Sequence, residues 1–88
     1  MSVQEMREKL LRLKEKYPNH LLLIGSSHDI DKINVMNSDI SDLLDFGDPE
    51  ITETVEAALS AGKQVAVQGA GPDRVLIHTA KSGKKLFR

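Results

Sequence analysis

The chain has no cysteine and no tryptophan in its 88 residues. Without thiols it forms no disulfide, holds no thiolate-bound metal and has no cysteine nucleophile. Aromatic residues are almost as scarce, with Tyr17, Phe46 and Phe87 the only three. That is a poor supply for the stacking platform on which single-stranded nucleic acid is bound. No apolar run approaches the roughly 20 residues of a membrane-spanning helix. The N-terminus is a charged amphipathic segment rather than a secretory leader, so the expectation is a cytoplasmic protein that makes no membrane contact.

Net charge is also nearly absent, at −1, but the total conceals a sorting along the chain. Residues 1–18 carry +2, residues 19–60 carry −8 with Lys32 as their only basic residue, and residues 61–88 carry +5 with Asp73 as their only acid. Solvated faces account for such blocks in most proteins. The alternative is attraction between an acidic middle and a basic end, within one chain or between copies. The apolar fraction of 40% and charged fraction of 28% are those of a globular chain. A chain of this length builds one modest core, so residues 1–88 are expected to form a single domain, and small domains often gain stability by associating.

Ser2, Val3, Gln4 and Glu5 fit the capping box that opens a helix. Val3, Met6, Leu10, Leu13 and Tyr17 then share one helical face, and Pro18 ends the element. The apolar run from His20 to Ile24, stopped by Gly25, predicts a strand covered on both faces and central in its sheet. Ile33 and Val35 alternate with polar neighbours, which suggests a second strand over residues 32–36. Ile40, Leu43 and Leu44 fit a short helical turn. Asp48, Pro49, Glu50, Glu53 and Gly62 bracket a longer helix with a good cap, a proline at its first position, acids at its positive end and a glycine stop.

Val65 to Val67 and Val75 to Ile77 read as strands around the turn from Gly69 to Asp73. A further turn at Ser82 and Gly83 leads to Leu86 and Phe87, completing a three-stranded antiparallel meander. The order of elements predicts a two-layer α+β domain, with the helices on one face of a mostly antiparallel sheet.

Known chemical motifs fail when tested position by position. A calcium loop starting at Asp29 would place Ile33, Asn34 and Ile40 where an oxygen ligand, glycine and glutamate are required. After Gly69 and Gly71, Arg74 stands where a dinucleotide fingerprint needs its third glycine, and a strand follows instead of a helix. Gly83 and Lys84 have His78 in place of the first glycine of a phosphate loop and Lys85 in place of its serine or threonine. His20, His28 and His78 lack the spacing of a zinc site. No cofactor, metal site or catalytic residue is assigned.

The function these residues favour is a non-enzymatic interaction or regulatory domain. It would self-associate, as a homodimer for example, or dock on a protein partner, either through Met6, Leu10, Leu13 and Tyr17 or along an edge of the sheet. A second reading binds nucleic acid or another anion through Arg74, Lys81, Lys84, Lys85 and Arg88 in the terminal hairpin. A third is a small metal-dependent hydrolase on the polar loop of Ser26, Ser27, His28, Asp29 and Asp31, with His78 as a further metal ligand.

Overall fold

The computed structural model describes residues 2–25 and 27–88. The first helix, α1, spans Val3–Lys16, and the Glu5 N–H donates to Ser2 Oγ at 3.2 Å, as the capping pattern requires. Met6 and Leu10 turn inward one turn apart. At its far end the Tyr17 N–H reaches the Leu13 carbonyl, and Pro18 takes the chain out of the helix. Strand β1, Leu21–Ile24, follows.

The second helix, α2, spans Pro49–Ser60. The Glu50 N–H donates to Asp48 Oδ1 at 2.9 Å, and Gly62 leaves the helix at φ 80°, a conformation that glycine adopts without strain. Both helices therefore sit where the sequence places them.

The remaining strands are β2 (Ser38–Ile40), β3 (Leu44–Asp45), β4 (Val65–Gly69) and β5 (Arg74–Ala80). Across the sheet the order is β1, β4, β5, β2, with β3 also paired to β5. β1 runs parallel to β4, and every other pairing is antiparallel. The fold is thus α+β with a mostly antiparallel sheet. β2 and β3 lie end to end along the same side of β5. Between them the Ile77 N–H donates to Ser41 Oγ at 2.9 Å and the Ser41 N–H donates to the Ile77 carbonyl at 2.9 Å, so one side chain carries the ladder across the break.

Alternation along β4 and β5 divides the core. Val65, Val67, Val75 and Ile77 face the helices and pack with Met6, Leu10, Leu21, Ile51, Val55 and Leu59. Ala66 and Ala80 face the other way, where they meet Ile24, Ile33 and Leu86. That second face is covered by a 3-10 helix, Ser27–Lys32, and by the C-terminal residues. Gln64 Oε1 accepts the N–H groups of Leu86 (2.9 Å) and Phe87 (3.1 Å). The Asn34 N–H donates to the Leu86 carbonyl at 2.6 Å, the Arg88 N–H to the Lys32 carbonyl at 3.0 Å, and Asn37 Nδ2 to the Lys85 carbonyl at 3.0 Å. Phe87 bridges to Ile33, so the last pairing of the C-terminal third is made with the middle of the chain.

Three expectations need correction. β1 is covered on both faces, as its apolar run implies, but it lies at an edge of the sheet and not at its centre. Residues 32–36 form no strand. Val35–Asn37 winds into a 3-10 turn closed by Ser38 Oγ donating to the Val35 carbonyl at 2.8 Å, and the strand begins at Ser38. Ile40, Leu43 and Leu44 do not share a helical turn. They belong to or join β2 and β3, because the open side of β5 has backbone groups that a strand satisfies and a helix does not.

Candidate interaction edges

Because the sheet does not close, β1 and the β2–β3 segment each expose one side of their backbone. In the parallel register of β1 with β4, the Val65 N–H bonds the His20 carbonyl, so Leu22 and Ile24 turn their backbone groups inward. Leu23 consequently turns its N–H and C=O out of the sheet. The strand is Leu-Leu-Leu-Ile and carries no lysine, proline or bulge, the devices that usually blunt an edge.

α1 lies over this edge. One of its flanks, with Lys9, Arg12, Leu13 and Lys16, faces Thr52, Glu53 and Glu56 of α2. The opposite flank, with Val3, Arg7, Leu11 and Lys14, faces away from α2, and Val3 and Leu11 are each 48% exposed. Under its first half runs an open groove of about 570 Å³, with Val3, Arg7, Leu10 and Leu11 above and Leu23, Ile24, Val67 and Val75 below.

At the far side of the sheet, Ile40 is opposite His78 and Asp39 opposite Thr79. The Lys81 N–H bonds the Asn37 carbonyl, a register in which Asp39 bonds inward and Ile40 turns its N–H and C=O outward. Met36 (86% exposed), Val35, Ile40 and Leu43 are all open here, interleaved with Asp39, Asp42 and Asp45. Among the described residues the ion pairs are Arg74 with Asp45 (3.5 Å) and Lys32 with Asp29 (3.7 Å). Asp39 and Asp42 make no ion pair among the described residues.

The residues singled out in the sequence are dispersed. Met6 and Leu10 are fully buried in the chain's own core, and Leu13 and Tyr17 pack half-buried against it. The face that was to meet a partner is therefore already occupied by the sheet, which corrects that expectation. Arg74 opens β5 and Lys81 follows its last residue, about 23 Å away at strand rise, and Arg74 is paired with Asp45. Arg88 Nε donates to the Ile33 carbonyl at 3.2 Å. Only Lys81, Lys84 and Lys85 share one exposed turn.

Ser26 lies outside the described residues. Ser27, His28, Asp29 and Asp31 are wound into the 3-10 helix, where Asp29 is paired with Lys32. Among the described residues no three potential metal ligands converge. His78 is 3% exposed on β5, and its Nε2–H donates to Gln68 Oε1 at 2.8 Å. Its buried Nδ1 has no partner among the described residues, and burial lowers its pKa below the ordinary 6.5.

No protein family, curated protein or solved structure matches the chain. The residues that sequence reasoning missed are Val3 and Leu11 as a surface pair, and Met36, Ile40 and Leu43 at the far edge. A signal was present for Leu11: it adjoins Leu10 and falls outside the stripe of Met6, Leu10, Leu13 and Tyr17.

Proposed function

We propose that the chain is a non-enzymatic interaction domain that associates with protein, its own copies first, by extending its sheet at the open edges. In this reading it works in the cytoplasm as a homo-oligomer. One observation carries it. Among the described residues the exposed large hydrophobics are Val3 and Leu11 on the flank of α1 turned away from α2, and Val35, Met36, Ile40 and Leu43 in β2 or in the segments that adjoin it. Exposed apolar surface gathered beside unpaired backbone groups is the composition of a strand-addition site.

The test is sedimentation of the wild type from micromolar to millimolar concentration beside Leu11→Glu. The expected result is a mass that rises with concentration for the wild type and stays monomeric over a wider range for the variant. A wild type that remains monomeric throughout removes the reading.

A further inference from the structure

Resting on that reading of the open edges, we infer that the occupant of the β1 edge is the β2 edge of a second copy, so that copies join head to tail. Three features of the molecule select this arrangement over the symmetric ones.

The first is charge. Arg7 and Lys14 lie on the flank of α1 beside β1, whereas Asp39 and Asp42 lie along the β2 edge, and none of the four has an ion-pair partner among the described residues. Pairing β1 with its own copy would face one basic flank with another, and pairing β2 with its own copy would face aspartate with aspartate. Only the unlike pairing brings opposite charges together, which steers association and fixes partner choice.

The second is strand direction. β1 is parallel to β4, β4 antiparallel to β5, and β5 antiparallel to β2, so β1 and β2 point the same way. A copy displaced along the sheet without being turned over therefore places its β2 parallel to the first copy's β1. The outward N–H and C=O groups of Leu23 and Ile40 then meet, and the helix faces of both copies lie on the same side.

The third is space. α1 lies over β1, and α2 lies over β4 and β5. On the helix face of β2, Asp39 is exposed. The flank of α1 from one copy would settle over the β2 of the next, bringing Arg7 to Asp39 and covering Val3 and Leu11. Because every copy keeps one edge of each kind, such a contact does not close at two and grows with concentration.

The test uses two full-length variants, each with one edge blocked. Arg7→Glu with Leu11→Glu blocks the β1 side, and Ile40→Pro, which removes the outward N–H of the β2 edge, blocks the β2 side without giving it a charge that the altered β1 side would attract. Circular dichroism first establishes that each folds, and Val3→Glu and Leu43→Glu, which repel one another, serve as a second pair of single blocks. Expected are monomers for each variant alone, at least about tenfold weaker in association than wild type. Their mixture should give a 1:1 dimer and nothing larger. Self-association of the β2-blocked variant would mean that β1 pairs with β1, and self-association of the β1-blocked variant that β2 pairs with β2. Either overturns the head-to-tail arrangement, as does an inert mixture when the wild type associates. A wild type that never associates overturns the proposed function itself.

Discussion

On the helix face of the sheet, ten buried apolar residues from both helices and three strands form a continuous cluster. On the opposite face only five do so, and a web of polar contacts from Gln64, Asn34 and Asn37 ties down the segments that cover them. The difference teaches that the two faces are closed by different forces. Apolar volume closes the first, so its residues tolerate little loss. Placement of a few hydrogen bonds closes the second, so a single polar side chain governs it.

Truncating the larger cluster should cost most. Ile51→Ala, at a fully buried position of α2, is expected to destabilise by roughly 2–5 kcal/mol in urea unfolding. A cost below about 1 kcal/mol would show that the cluster is looser than its burial implies. Gln64→Ala removes the acceptor of two backbone N–H groups and should cost about 1–3 kcal/mol. The comparison is sharpened by amide exchange in that variant. Leu86 and Phe87 should lose protection while α2 keeps its own, and equal loss in both regions would merge the two faces into one unit.

The third effect depends on pH. The buried His78 has a folded pKa below its ordinary 6.5, so the native state resists the proton that the unfolded chain accepts. The stability contributed by the neutral ring is fully present above pH 6.5 and is lost as pH falls from there towards the folded pKa. His78→Gln should flatten the fall between neutral and mildly acid pH. An unchanged slope would place the pH dependence elsewhere. Smallest of all should be Leu11→Glu and Ile40→Lys, within about 0.5 kcal/mol in dilute solution, because the edges contribute little to the fold of one copy.

Much of the helix layer was legible in the sequence, since Ser2 with Glu5 and Asp48 with Pro49 state their helix starts in adjacent residues. The strand β1 was legible as an element but not in its place. Leu21 to Ile24 are apolar because both faces of the strand are covered, and coverage of faces is silent about neighbours in the plane of the sheet. Ile40, Leu43 and Leu44 have helix-compatible spacing, and what makes them extended is the unpaired side of β5, 38 residues further on by the register of Ile40 with His78. Gln64 gave no signal at all, because its two acceptances are defined only once the C-terminal segment has folded back. The candidate edges were named in the sequence only as an edge of the sheet, and their location follows from strand order.

Hydrogen exchange at Leu23 and Ile40 tests the open edges most directly, because the register turns both amides out of the sheet. Both should exchange fast in dilute solution and slow by about tenfold or more at millimolar concentration, as their N–H groups gain partners in neighbouring copies. Rates that are the same at both concentrations would contradict the account.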